Sequence, residues 1–326
     1  MSLDLSMIVP EPRLLASARL VPVERRVPER LVHKTSRGEV LIAGGEQLRA
    51  DRFLVFAKLP AGHHFYRSND FGRVDQLLVV EAMRQAAYFV SHQYYEVPLD
   101  YQFVLGDVAC RMEDHCFRTY ATGELPVVLR ITCEPTARRT ANRIGLRMTA
   151  EFSVHGVVFA RGSLRSEALG ERIYRAMRSR SDAPDGPAET VGLPAALLPQ
   201  AVGRLDPADV VLADIGRADR WLLRVDESHP VLFDHPLDHV PGMLLIDAFR
   251  QAAWRAAGAV AAARFSMNGL HAEFASFCEL RLPAYIIAMP RIPRRADELC
   301  WAVRAVQSGK VVASGLIASV RTGRTA

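Results

Sequence analysis

The sequence has very little lysine and only a modest excess of positive charge. Of its 326 residues, three are lysine (Lys34, Lys58 and Lys310) and 38 are arginine. The net charge of +5 is small for this length. Because a nucleic-acid-binding surface normally concentrates its positive charge, the composition favours no nucleic-acid partner.

Long apolar runs are also missing. The longest uninterrupted stretch covers residues 256–263, far short of the roughly 20 residues that cross a bilayer. Residues 1–10 include Asp4 and lack the positively charged start of a secretory signal. We therefore expect no membrane association and a cytoplasmic location.

Cysteine pairs and nucleotide-binding motifs are absent. The five cysteines are an odd number and form no CxxC pair, which argues against a disulfide framework or a zinc knuckle. The sequence contains no GxxxxGK[ST], GxGxxG or GxSxG motif, so ATP, NAD and a serine nucleophile are not indicated. No cofactor is predicted.

An internal repeat is the strongest feature that is present. Residues 77–87 read LLVVEAMRQAA and residues 243–253 read MLLIDAFRQAA, with six of eleven positions identical at an offset of 166. His63 and His229 recur at the same offset. A repeat of this length predicts two copies of one structural unit.

Composition places the boundary between the copies. Residues 181–190 (SDAPDGPAET) are the richest cluster of turn-forming residues. We predict an N-terminal extension at 1–27, a first domain at 28–166, a linker at 167–204 and a second domain at 205–322. Each copy has one long apolar helix followed by alternating strand-like segments, which predicts an α+β fold with an antiparallel sheet wrapped around the helix.

A polar stripe runs along each of these otherwise apolar helices. Acid, arginine and glutamine recur in both copies, as Glu81, Arg84, Gln85 and Asp247, Arg250, Gln251. A carboxylate on a mostly buried helix is costly unless it is partnered, so the stripe is a candidate catalytic site. The alternative is a solvated ion pair on an ordinary amphipathic helix.

A histidine-rich loop leads into the second helix. Residues 229–242 contain three histidines and two aspartates, and they end in Pro241 and Gly242. A metal site is the alternative, but the irregular spacing favours none. Histidine near a carboxylate suits proton transfer, which makes His63, His229 and His239 candidates. Amides at the start of the helix, at Gly242, could polarise a carbonyl oxygen.

Several of these segments resemble a known family. Residues 239–251 are similar to the hot-dog dehydratases of fatty-acid synthesis, which carry histidine, Pro-Gly and then a helix with an acid and a glutamine. The segments VHKT, EVLI, EAMRQAA, DHVPGMLL and FCEL, which begin at residues 32, 39, 81, 238 and 277, together resemble the A-factor (γ-butyrolactone autoregulator) synthase family. This resemblance covers about residues 28–320.

The resemblance implies a tandem hot-dog fold and an acyl transfer. The family joins a 3-oxoacyl chain on acyl carrier protein or coenzyme A to a hydroxyl of dihydroxyacetone phosphate, and the phospho-ester leads to a butenolide or related signalling molecule. Other hot-dog enzymes (a dehydratase or thioesterase) and a non-catalytic acyl- or lactone-binding module stay open. A homodimer also stays open, although a tandem already pairs two hot-dog units.

The resemblance also implies roles for the candidate residues. Glu81, and Asp247 with His239, are candidate bases, and Gln85, Gln251 and the helix-start amides are candidate carbonyl donors. Arg84 and Arg250 either clamp the phosphate or only neutralise the neighbouring acids, whereas His33 and Lys34 add charge. Two departures are Asp247, where glutamate is more usual, and Asp75-Gln76 in place of Pro-Gly, which makes equivalence of the two sites an open question.

Overall fold

Both halves of the chain contribute to one antiparallel sheet. The structure, a computed structural model, describes residues 26–67, 73–113, 123–136, 139–180, 192–258, 265–293 and 295–321. The described residues contain twelve strands and three α-helices. Among them, no helix combines the length and apolar character needed to span a membrane.

Each half of the chain contributes six strands to the sheet. The first half supplies β1 (Ile42–Arg49), β2 (Arg52–Pro60), β3 (Gln102–Met112), β4 (Glu124–Pro135), β5 (Arg143–Val154) and β6 (Val157–Leu169). The second half supplies β7 (Leu212–Ala213), β8 (Arg220–Leu223), β9 (Phe265–Phe274), β10 (Ala284–Arg291), β11 (Glu298–Gln307) and β12 (Lys310–Arg321). The helices are α1 (Gln76–Tyr94), α2 (Glu171–Arg178) and α3 (Gly242–Ala257).

The strand order has internal twofold symmetry. It runs β1-β2-β4-β5-β6-β3-β9-β12-β11-β10-β8-β7, so each half repeats the other outward from the centre. The halves meet where β3 pairs with β9, from Asp107 opposite Glu273 to Arg111 opposite Gly269. The predicted tandem α+β architecture is confirmed.

Each half wraps its strands around one long helix. In α1, 15 of 19 residues are buried, as expected for an apolar helix enclosed by a sheet. Close packing requires a glycine in the strand beneath it, because a Cβ at Gly162 would lie 2.7 Å from the sulfur of Met83. Gly315 is the equivalent residue in β12, and a Cβ there would clash with the backbone carbonyl of His271 in the neighbouring strand β9.

Strands follow each long helix, as predicted, and two-residue turns join two pairs of them. Gly156 and Gly309 close the β5–β6 and β11–β12 hairpins with φ of 81° and 73°. The residues before them, His155 and Ser308, also have positive φ, which matches the type I′ turns that join twisted strands.

The segment assigned to the linker, 167–204, contains regular structure. Strand β6 continues to Leu169, and α2 follows at once. Arg178 of α2 binds the carboxylate of Glu279 in the second half, at 2.7 and 2.9 Å. The predicted linker therefore includes a helix that docks on the second copy.

Candidate active site

Each long helix carries a buried carboxylate surrounded by donors, and we call the two sets cluster 1 and cluster 2. In cluster 1, Arg84 donates to both oxygens of Glu81, at 2.8 and 2.7 Å. Gln85 Nε2 donates to Glu81 Oε1 at 2.9 Å, and Lys34 Nζ lies 3.4 Å from the same oxygen. The solvated-pair alternative is wrong, because the Glu81 side chain is only 2% exposed.

Cluster 2 repeats this arrangement around Asp247. Arg250 donates to Oδ1 at 3.0 and 2.7 Å, and Gln251 Nε2 donates to Oδ2 at 2.7 Å. Arg204 stands where cluster 1 has lysine, with Nη2 at 2.5 Å from Oδ1. The remaining nitrogen of Arg250, Nη1, binds Asp75 of the first half at 2.9 and 2.8 Å.

These cations keep both acids ionised. Burial acts to raise the pKa of Glu81, but the charges of Arg84 and Lys34 outweigh it and hold that pKa well below its usual range. Burial likewise opposes ionisation of Asp247, and Arg204 and Arg250 lower its pKa. A carboxylate with a lowered pKa, already accepting several hydrogen bonds, is a weak base.

The glutamines tie each helix to the chain segment that precedes the sheet. Gln85 Oε1 accepts from the amide of Leu41 at 2.8 Å, and Nε2 donates to the carbonyl of Glu39 at 2.8 Å. The same bonds recur in cluster 2 among Gln251, Val211 and Asp209, at 3.1 and 2.8 Å. Both glutamines are fully buried, so these contacts fix the position of the acids.

His63 is a fixed donor. Its Nδ1 accepts from the amides of Phe65 and Tyr66, both at 3.2 Å, which assigns the proton to Nε2. Nε2 in turn lies 3.2 Å from Glu39 Oε2. With both ring nitrogens occupied, His63 positions the Glu39 carboxylate.

His229 repeats this arrangement in the second half. Its Nδ1 accepts from the amides of Val231 and Leu232 at 3.2 Å. Its Nε2 lies 3.3 Å from Asp209 Oδ1. The recurring unit is therefore a histidine that orients an acid, and that acid belongs to the segment held by the glutamine.

His239 lies apart from Asp247. Its Nδ1 is 2.6 Å from Asp238 Oδ1, which also accepts from the hydroxyl of Tyr174 at 2.7 Å. The His239 ring packs edge-on against Phe277. Within the described residues no hydrogen bond or ion pair joins His239 to Asp247, so the expected pairing of the two is not present.

The two helix starts differ. At α1 the Asp75 side chain accepts from the amide of Leu77 at 2.7 Å, so this amide is already occupied. At α3 the cap residue is Pro241, which provides no side-chain hydrogen bond. The role of the Gly242 amide in carbonyl binding stays a prediction, and it applies to α3 alone.

A cavity of about 310 Å³ lies beside cluster 2. Its polar side includes Arg204, Arg250 and Asp209, and its apolar side includes Trp254 and Trp301. Concave sites with mostly apolar walls and a few convergent polar groups are typical of ligand pockets. Asp247 is fully buried behind the arginines and is not part of the cavity wall.

The residue directly before the cation differs between the two clusters, and this changes how the neighbouring aromatic ring packs. His33 and Gly203 precede Lys34 and Arg204, and both have left-handed φ, 52° and 71°. The His33 ring packs against Tyr88 at 4.8 Å between centroids, and burial, then the charge of His92, lowers its pKa to about 3.

Glycine changes that packing in cluster 2. A Cβ at Gly203 would lie 2.9 Å from the ring of Trp254, the counterpart of Tyr88 at an offset of 166. Trp254 therefore lies directly over the backbone, in contact with the cavity.

One group of side chains has metal-ligand character. Ligand atoms of Glu39, His63 and His64 lie within 4.8 Å of one another. Only part of the group recurs, because Pro230 stands at the position equivalent to His64. The recurring acid–histidine pair is explained by the hydrogen bond that orients the acid.

Sequence reasoning missed Arg204, Glu39 and Asp209 as site residues. The available signal was a second offset: Lys34 and Arg204, like Glu39 and Asp209, are 170 residues apart. Between this segment and the long helix the first copy has four more residues than the second, so the offset changes from 170 to 166.

Comparisons with known proteins agree with this architecture. A family model described as the A-factor biosynthesis hotdog domain matches residues 15–170 and 187–322. A 2-oxo-3-(phosphooxy)propyl 3-oxoalkanoate synthase of Streptomyces virginiae is 34% identical over 269 residues, 81% of this chain and 87% of the relative. A synthase of the same name from Streptomyces griseus subsp. griseus is 33% identical over 327 aligned residues, 97% of each chain.

Similarity to solved structures concerns the fold alone. A protein described as an oleoyl thioesterase from Lactobacillus plantarum superposes with a TM-score of 0.52, at 10% identity. The superposition covers 84% of this chain and 97% of that chain.

Proposed function

Because the chain belongs to the A-factor biosynthesis hotdog family, we propose that it is an acyltransferase acting on a 3-oxoacyl thioester and dihydroxyacetone phosphate. The thioester is carried by acyl carrier protein or coenzyme A. The C–S bond breaks, a C–O bond forms to the triose hydroxyl, and the hydroxyl proton leaves with the thiol. The product is a 2-oxo-3-(phosphooxy)propyl 3-oxoalkanoate, the compound named in the relatives.

The main structural support for this proposal is the cavity beside cluster 2. Its apolar wall, with Trp254, Met267 and Trp301, suits an acyl chain. Its polar side presents Arg204 and Arg250, whose positive charge stabilises the oxyanion that develops on the thioester carbonyl. One site therefore offers both the apolar and the cationic surface that this reaction needs.

We assign the proton transfer to Asp209. It lines the cavity, and His229 orients its carboxylate. Asp247 and Gln251 hold the arginines and the Asp209 backbone in place. That Asp247 or Glu81 acts directly as the base stays a prediction, and matched variants separate these assignments.

Thiol release with a synthetic 3-oxoacyl thioester tests the reaction. We expect release to require dihydroxyacetone phosphate and the phospho-ester to appear by mass spectrometry. Release that ignores the triose would instead indicate a thioesterase, and full activity of a variant lacking both cluster acids would indicate that neither is the base.

Paired variants test the base. Asp209→Asn should lower kcat by about 10²–10⁴, the usual contribution of general-base catalysis. Glu39→Gln, the matched change beside cluster 1, should leave kcat within about threefold, because Glu39 is not part of the cluster 2 cavity. If the two variants lose activity equally, or Asp209→Asn loses none, the assignment to Asp209 is wrong.

A further inference from the structure

Arg204 has a buried guanidinium nitrogen without a hydrogen-bond partner in the described part of the chain. Its side chain is 5% exposed. Nη1 donates to the carbonyl of Phe65 at 2.7 Å, and the guanidinium stacks on the Phe65 ring. Nε has no hydrogen-bond partner among the described residues. An unpaired buried donor is costly, which is explained if a ligand oxygen supplies the missing acceptor in the cavity that Arg204 lines.

Two further arginines give this cavity an excess of positive charge. Arg67 and Arg73 also line it, and in the part of the chain that the structure describes no carboxylate forms an ion pair with either. Of the carboxylates in the wall, Asp75 binds Arg250 and Asp209 accepts from His229. The acids of the cavity wall are thus already partnered, and none of the described acids neutralises Arg67 or Arg73, although Arg67 Nε donates to the carbonyl of His64 at 2.7 Å.

We propose that Arg67, Arg73 and Arg204 form a phosphate-binding subsite for a phosphate monoester. Arginine donors suit phosphate oxygens because the planar guanidinium can bind two of them at once. Arg250 is a poorer candidate, since all three of its guanidinium nitrogens already donate to Asp247 or Asp75, and Arg84 is not part of the cavity wall. Naming the triose as the owner of the phosphate rests on the proposed function, but the anion class rests on these arginines alone.

Binding measurements test the subsite without turnover. Isothermal titration calorimetry at fixed ionic strength would compare inorganic phosphate, dihydroxyacetone phosphate and, as the phosphate-free control, dihydroxyacetone. The variants are Arg67→Gln and Arg73→Gln. The matched control is Arg52→Gln, an exposed residue at the start of β2, outside the site.

Each of the two site variants should raise the Kd for phosphate and for dihydroxyacetone phosphate about tenfold, which corresponds to about 1.4 kcal/mol. Arg52→Gln should change neither. Arg204→Lys keeps a cation beside Asp247 but removes Nε, and it should also weaken phosphate binding. If Arg67→Gln and Arg73→Gln bind both phosphates as tightly as Arg52→Gln, the proposal is refuted.

Steady-state kinetics identify the source of the phosphate. If the triose supplies it, Arg73→Gln raises the KM for dihydroxyacetone phosphate about tenfold and leaves the KM for the acyl thioester unchanged. If the pantetheine arm of the carrier supplies it, the reverse holds and coenzyme A binding weakens; because the phosphate of that arm is a diester, this result would overturn the assignment to a monoester. Arginine-dependent phosphate binding without ester formation would support the subsite and refute the proposed function.

Discussion

The two buried glutamines provide a matched test of how the clusters are built. Gln→Met nearly conserves side-chain volume, so it removes the hydrogen bonds without opening a large cavity. In cluster 2 it leaves the amide of Val211 and the carbonyl of Asp209 without their partner. Each unsatisfied buried group costs about 1–3 kcal/mol, so Gln251→Met should lower the free energy of unfolding by about 2–6 kcal/mol.

Gln85→Met should cost the same within about 1 kcal/mol, because Gln85 makes the equivalent bonds. The assay is urea denaturation followed by tryptophan fluorescence. Gln47→Met, at an exposed position in β1, is the control and should stay within about 0.5 kcal/mol of the parent. If both cluster variants behave like this control, the hydrogen-bond argument is refuted.

The variants Gln251→Met and Gln85→Met should differ in kcat. Gln251 holds Asp209 and Asp247, so misplacing these groups should lower kcat by up to about 100-fold. Gln85 holds cluster 1, and its variant should retain most of the kcat at temperatures where it stays folded. Equal losses in the two variants would contradict the assignment of turnover to cluster 2.

Two further predictions concern stability. The pKa of His33 is lowered from 6.5 to about 3, so between these values the unfolded chain binds more protons and stability falls as the pH is lowered, by at most about 1.4 kcal/mol per pH unit. His33→Asn, which tolerates left-handed φ, should flatten the fall in Tm between about pH 6.5 and 5, and an unchanged slope would exclude His33 as its source. Arg178→Gln should cost about 3 kcal/mol in urea unfolding because it removes a bidentate partner of the buried Glu279. The exposed control Arg175→Gln should cost less than about 0.5 kcal/mol, and a cost equal to the control would mean that the docking of α2 adds no stability.

The repeat and the polar stripe could be predicted because both lie on a helix. Identity at the 166 offset marked Glu81 and Asp247, and helical periodicity put each on one face with its arginine and glutamine. The burial of both acids follows from the surrounding apolar residues. What the pattern does not contain is the number of cations that each acid meets, which determines its pKa.

The other site residues depend on how loops dock. Arg204 and Asp209 lie in and just after the predicted linker, and both differ in residue type from their counterparts Lys34 and Glu39, so simple identity did not reveal them. His239 is close to Asp247 in sequence, but α3 begins between them at Gly242. Five residues of helix advance Asp247 by about 7.5 Å along the axis, which separates the two side chains.

The joint between β3 and β9 has a consequence for assembly. A single copy freed from its neighbour would leave one of these long strands with an unpaired edge, a ready template for aggregation or for pairing with another molecule. Carrying both copies on one polypeptide fixes their stoichiometry at one to one. It also keeps the second copy at an effective concentration in about the millimolar range for a short tether. Pairing of β3 with β9 is therefore intramolecular and does not depend on the expression level.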